Sequence, residues 1–245
     1  MPDKLELQLA SLDKRVNAVE KLVQKAPAAD PTMVVLIKRV DTLEKRGGLI
    51  AGVCEFHGGI DHAYTYGYLT NALELGEVRK PILGLWSFLA FGMTRETYSP
   101  VEVSMISDGD NQYTLPHLYS CSEQLRLLRS LLVREDGNTL WLGQGIPRAW
   151  LEGGKKIVVK SAPTEFGEVS YTIAAGNKGM FHITLAPPTR ITPGEICLCL
   201  RGERGASIRL LQSTPEIPLS HTADTITLPG LSQPVQLEVR MAATK

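Results

Sequence analysis

The sequence predicts a multi-domain chain, helical first and β second. Three observations carry this reading. Apolar residues recur at helical spacing until about residue 135, and they alternate at period two from Lys155 onward. Between the two regimes lies Thr139–Ile173, punctuated by glycine and proline. The boundaries that follow are an amphipathic helical leader at 1–46, a second helical region at 47–137, a connector at 138–154 and an antiparallel immunoglobulin-like β-sandwich at 155–245.

In the leader, Leu5, Leu9, Leu12, Val16, Val19 and Val23 are spaced four, three, four, three and four apart. That is an a/d stripe, readable as a helical hairpin or as a coiled-coil arm for self-association. The two prolines of KAPAADPT stop this helix, and Asp30-Pro31 supplies a cap and first-turn signal for another. There Met33, Leu36 or Ile37, Val40 and Leu43 continue the spacing as far as Gly47-Gly48.

Leu49–Gly67 reads as a loop that gathers Glu55, His57, Asp61, His62, Tyr64 and Tyr66 among Gly52, Gly58 and Gly59. His57 and His62 are five apart, without the His-x-x-x-His spacing of a zinc helix, and no further Cys or His completes a set, so no metal is expected. Aromatic faces that stack on sugar C–H surfaces, beside carboxylates and imidazoles that bond hydroxyls, suit a carbohydrate. The same residues serve equally as a loop whose polar groups satisfy one another.

Residues 68–78 read as a helix. Ile82–Met93, ILGLWSFLAFGM, is apolar on every side and is expected to be buried all round. Residues 94–114 read as a long loop with Glu96, Glu102, Asp108 and Asp110, lacking the spacing of an EF-hand. The stripe Leu118, Cys121, Leu125, Leu128 and Leu132 then predicts a helix over 117–135.

The connector begins as a strand, Thr139–Leu142, and bends at Gly143, Gly145 and Pro147. KKIVVKSA and VSYTI are the first two strands beyond it. Phe181–Leu185, Ile196–Leu200, Ile208–Leu210, Ile226–Leu228 and Val235–Val239 follow, separated by turns such as APPTRITPGE and RGERGA.

Bulk properties narrow the function. Lys plus Arg equals Asp plus Glu, at 26 each, which speaks against a nucleic-acid partner. No apolar run is long enough for a bilayer and the start has no apolar signal region, so no membrane partner and a cytoplasmic location are expected. Cys54, Cys121, Cys197 and Cys199 form no C-x-x-C pair and read as reduced apolar fillers. No cofactor is expected.

The runs GGIDHAYTYGYL, GEVRKPILGLWSFLAFGMTRETYSPVE and LRLLRSLLVREDGNTLWLGQGIPRAWLEGGKKIVVKSAPTEFGEVSYTI resemble the C-terminal part of large bacterial glycoside hydrolases. Those are six-hairpin (α/α)6-toroid enzymes that end in a β-sandwich. The likeness covers Leu49 to the C-terminus, and its most specific piece is LWL…GIPRAWL…APT.FG.VSY. It implies that residues 47–137 are a partial α/α-toroid. It also implies a carboxylate pair as general acid and base or nucleophile. Matched by position, Glu102 is the first catalytic candidate and Glu55 the second. Asp61, His57, His62, Tyr64 and Tyr66 are the substrate-binding candidates. Bulkier residues around Glu102 depart from the glycine-rich family pattern.

A toroid needs about twice the helices this chain supplies. The sequence therefore points to a glycoside-hydrolase-like fragment or truncated homologue without independent activity. The alternative is a non-catalytic carbohydrate- or protein-binding module that self-associates through its N-terminal helices. A separately encoded chain supplying the missing half is a third possible partner.

Overall fold

The computed structural model describes residues 49–243 except 51, 57–58, 95, 106–109 and 202–205. The leader at 1–46 and His57 lie outside the described residues.

The chain is mostly β and forms three five-stranded sheets among the described residues. The first sheet is an antiparallel meander of β1 (Leu49–Ile50), β2 (Val53–Phe56), β3 (Gly59–Asp61), β4 (Val103–Met105) and β5 (Asn111–Gln112). Helices α1 (Thr65–Glu74), α2 (Arg79–Phe91) and α3 (Leu118–Leu132) pack on it and on one another. Their shared core is Val53 and Ile60 from the sheet with Tyr68, Leu69, Leu73, Leu85, Phe88, Leu127 and Leu131 from the helices.

The expectation of a toroid followed by a sandwich is therefore corrected. The two stretches read as loops, 49–67 and 94–114, pair with each other through β3 and β4 in the register Asp61 with Val103 and Ile60 with Ser104. Three helices resting on that sheet have no call to form a ring. The strands are short and broken by glycines, so they carry too few alternating residues for periodicity to reveal them. Register had to come from long-range pairing.

Two helices also present faces the sequence does not predict. On α2 the buried residues are Pro81, Gly84, Leu85, Ser87 and Phe88, whereas Leu83, Trp86, Leu89 and Phe91 are each 47–52% exposed. On α3 the inward residues are Ser120, Glu123, Gln124, Leu127, Ser130 and Leu131. Leu118, Leu125 and Leu128 of the expected stripe are exposed. Most inward polar groups find partners, although the buried Gln124 Oε1 has none. Gln124 Nε2 donates to Gly92 O at 3.2 Å, Ser130 Oγ meets Tyr66 Oη at 3.2 Å, and Arg126 pairs with Glu123 at 2.7 Å.

The second sheet runs β12 (Ala206–Thr214), β15 (Val235–Ala243), β10 (Met180–Ala186), β9 (Gly167–Ala175) and β8 (Lys156–Thr164). The third runs β13 (Ser220–His221), β14 (Thr225–Pro229), β11 (Glu195–Cys199), β7 (Thr139–Leu142) and β6 (Val133–Asp136). Buried side chains of both sheets make one core, among them Tyr171, Ile173, Ile183 and Leu237 from the second and Leu140, Leu142, Ile196 and Leu228 from the third. Strand β7 pairs in parallel with β11, Thr139 opposite Glu195 and Leu142 opposite Leu198. The connector, a seam between the two bodies, thus contributes a strand to the C-terminal core. Cys197 and Cys199 are buried in β11 as thiols, and burial pushes the Cys199 thiol up to about 11.

GQGIPRAW joins the two bodies by satisfying the end of α3. Helix ends leave carbonyls without intrahelical partners. Here Gly145 N–H donates to Leu131 O at 2.9 Å, while Gly143 N–H and Tyr171 Oη donate to Leu132 O at 2.8 and 2.9 Å. Gly143 has φ 67°, the left-handed region that favours glycine. Between these glycines, buried Gln144 donates to Leu73 O at the end of α1 at 3.1 Å and accepts from Arg134 Nε at 2.9 Å. Its own carbonyl accepts from Arg201 at 3.0 Å. Trp150 packs against both cores.

Candidate functional site

Most of the sequence-predicted residues gather where the first sheet meets the starts of α1 and α3. Asp61, at the end of β3, is buried, and its Oδ1 accepts from the N–H of Ala63 at 2.8 Å and of Tyr64 at 3.1 Å. That is an aspartate turn, which sets the entry into α1. Thr65 Oγ1 donates to Asp61 O at 2.5 Å and accepts from Cys54 N–H at 2.9 Å, locking helix to sheet. Burial raises the Asp61 carboxyl above the usual carboxylate range, the two backbone donors oppose that shift, and nearby Glu102 adds to it.

His62 is wholly buried against Phe88, edge to face at 5.6 Å. Its Nε2 lies 3.3 Å from Ser104 Oγ, whose own hydroxyl donates to Phe91 O at 2.5 Å. With that hydroxyl proton committed, the histidine must donate, so its ring proton sits on Nε2. Nδ1 is then a buried acceptor with no hydrogen-bond partner. Burial pushes the imidazole down to about 4, and the ring is neutral at physiological pH. His62 is a core residue of this body.

Glu102 is at the surface end of the same strand group. Its Oε2 accepts from Thr114 N–H at 3.3 Å and lies 3.6 Å from His117 Nε2. His117 caps α3, its Nδ1 accepting from Ser120 N–H at 3.2 Å and meeting Ser120 Oγ at 2.7 Å. An acceptor Nδ1 leaves the ring proton on Nε2, facing Glu102. Sequence reading missed His117. The available signal was a histidine just before an apolar helical stripe, at the position where a side chain accepts from the first-turn N–H groups.

Glu55 is exposed on β2, opposite Ile60, and Ile60 stands opposite Ser104 two residues beyond Glu102. Ideal strand spacing puts the α carbons of Glu55 and Glu102 about 12 Å apart. Tyr66 is pinned inward by Ser130, with the Arg126 guanidinium 4.4 Å over its ring. Tyr64 is 69% exposed and faces Tyr119 at 6.2 Å, and Tyr119 in turn meets the His117 ring at 6.3 Å. Tyr113, whose neighbour Thr114 holds Glu102, is exposed and lies 6.2 Å from Phe56. Tyr64, Tyr119, Tyr113 and Phe56 therefore form an aromatic rim near a carboxylate and an imidazole.

Only part of this is reachable chemistry. Asp61 and His62 are enclosed, Glu102 and His117 are partly buried with side chains 23% and 17% exposed, and the rim tyrosines face solvent. Among the described residues no group of three His, Cys, Asp or Glu is placed to hold a metal ion. A cleft of about 480 Å³ lies elsewhere, lined by Arg148, Glu152, Lys178, Arg201 and Met241, and none of the residues above borders it.

No family model matches the chain, and none of the curated proteins matches it. Among solved structures, an alpha-L-rhamnosidase from Dictyoglumus thermophilum is similar over 66% of this chain at 10% identity, with a TM-score of 0.37. The chain spans 20% of that enzyme's length. No described helix is long and apolar enough to cross a membrane.

Proposed function

We propose that this chain binds carbohydrate at the rim formed by Tyr64, Tyr119 and Tyr113 around Glu102 and His117, without hydrolysing it. The carrying observation is three exposed tyrosines, at 69%, 50% and 57%, beside a carboxylate and an imidazole 3.6 Å apart. Tyrosine offers an apolar face and a polar tip, and clustered exposed aromatic surface marks a place where something binds. Glu102 accepts and His117 Nε2 donates, the two roles needed to hold a hydroxyl.

Binding is favoured over hydrolysis by the state of the carboxylates. Cleavage by a pair requires two reachable groups held across one bond. Asp61 beside Glu102 is buried and committed to backbone N–H groups, and Glu55 is two strands away.

The test is titration against a panel of oligosaccharides. Tyr119→Ala and Tyr64→Ala are each expected to weaken binding about tenfold, the loss of one stacking face being worth on the order of 1 kcal/mol or more. Binding that survives both substitutions unchanged would exclude the rim. Release of aryl alcohol from aryl glycosides, abolished by Glu102→Gln, would instead make the chain a hydrolase.

A further inference from the structure

We propose that the cleft between the connector and the C-terminal sheets binds a small organic anion, a carboxylate carried on an apolar body. Its walls come from the turn at 148–154, the turn between β9 and β10, Arg201 just beyond β11, and Met241 near the end of β15. A volume of about 480 Å³ is that of a small-molecule site, and such sites favour the junction of two bodies.

The lining has two halves. Leu151, Phe181 and Met241 are buried side chains of the C-terminal core that also border the cleft, so its floor is apolar. Arg148, Lys178 and Arg201 border it too, against Glu152 as the one carboxylate among the described lining residues. The excess of positive charge favours an anion, and the floor favours one with hydrocarbon attached.

Much of that charge is already engaged, which limits how much the ligand can carry. Arg201 holds Asp224 and donates to Gln144 O at 3.0 Å. Its Nε is buried and meets no acceptor, so this wall still lacks negative charge. Arg148 donates through Nε to Glu152 Oε1 at 2.7 Å, which leaves its two terminal nitrogens for a ligand. Lys178 has no ion pair and no side-chain hydrogen bond among the described residues. One ammonium and the outer edge of one guanidinium suit the two oxygens of a single carboxylate. A phosphate chain would bring more negative charge than these leave unpaired, and would set it against Glu152.

The backbone supports the same reading. Lys178 stands between Gly176 and Gly179 with φ 55°, a backbone few lysines adopt, so the turn sets the position of the lining's one unpaired ammonium. Beside Arg148, a Cβ on Gly153 or Gly154 would meet nothing within 4 Å, so a ligand can lie directly against the chain there.

The experiment is calorimetric titration of the full-length protein with naphthylacetate, with its neutral amide and with acetate. Naphthylacetate is expected to bind about tenfold tighter than either, because the amide lacks the charge and acetate lacks the apolar body. Lys178→Gln changes an exposed side chain, and circular dichroism checks that the variant keeps its fold. It should weaken naphthylacetate about tenfold and leave the amide unchanged. Lys160→Gln, on β8 and outside the cleft, should alter neither. No binding of naphthylacetate, equal binding of acid and amide, or equal binding of naphthylacetate and acetate overturns the proposal. So does a Lys178→Gln variant that binds naphthylacetate as the wild type does, or an equal loss in Lys160→Gln, which would mean attraction to the surface at large.

Discussion

At the residue scale, His62 shows how a buried imidazole couples stability to pH. Its pKa is near 4 in the folded chain, held there by burial, against an ordinary 6.5 when unfolded. Below 6.5 the unfolded chain takes up a proton that the folded chain refuses. The contribution of His62 is therefore complete above pH 6.5 and is lost as the pH falls towards 4, by up to about 3 kcal/mol in total. We expect the melting temperature to fall across that window. His62→Gln, which keeps a donor towards Ser104 without titrating, should flatten the decline measured by calorimetry between pH 6.5 and 4. An unchanged slope would show that other groups govern it. Glu102 and His117, two residues of similar chemistry to Asp61 and His62, remain only partly buried. The difference is one of depth, and sequence alone carries no depth for a residue in a loop-like run.

At the scale of elements, α3 separates what periodicity tells from what it withholds. The spacing of Leu118, Cys121, Leu125, Leu128 and Leu132 marks a helix over 117–135, and α3 occupies Leu118–Leu132. The buried face, however, is set by Leu127 and Leu131 with polar groups that find partners on α1 and α2. Periodicity reports that a helix is amphipathic, but the choice of face belongs to its neighbours. A direct comparison follows. Leu127→Ala should cost about 2–5 kcal/mol through cavity formation, while Leu125→Ala should change stability by about 0.5 kcal/mol or less. Equal costs in denaturant titration would mean that the described face is wrong. The strands of the C-terminal half were legible for the opposite reason. Phe181–Leu185 and Val235–Val239 alternate strictly, and they become β10 and β15, paired Phe181 to Val239 and Leu185 to Val235. Long half-buried strands announce themselves, whereas β1 to β5, two to four residues each, do not.

At the scale of the molecule, helices and sheets are joined through backbone groups more than through a linker. The turn Gly143–Gly145 caps α3, and Gln144 reaches α1, β6 and Arg201 at once. Because β6 and β7 complete the third sheet, a fragment of residues 155–245 lacks them. It would leave β11 with an unpaired edge and the core without Val133, Leu140 and Leu142. Exposed apolar strand edges recruit other chains. Residues 155–245 alone are expected to aggregate on size exclusion, while 133–245 should elute as a folded monomer. A soluble, cooperatively melting 155–245 fragment would refute this account of the seam.

The parallel pairing of β7 with β11 has a consequence in time. Thr139 faces Glu195, 56 positions further along the chain, so β7 is synthesised well before the strand that holds it. At about 5–20 residues per second, that interval is roughly 3–11 seconds. Throughout it, the apolar strand β7 has only β6 beside it. The strand β7 is thus among the first parts of the C-terminal body to be made, and it waits through β8, β9 and β10 for its parallel partner.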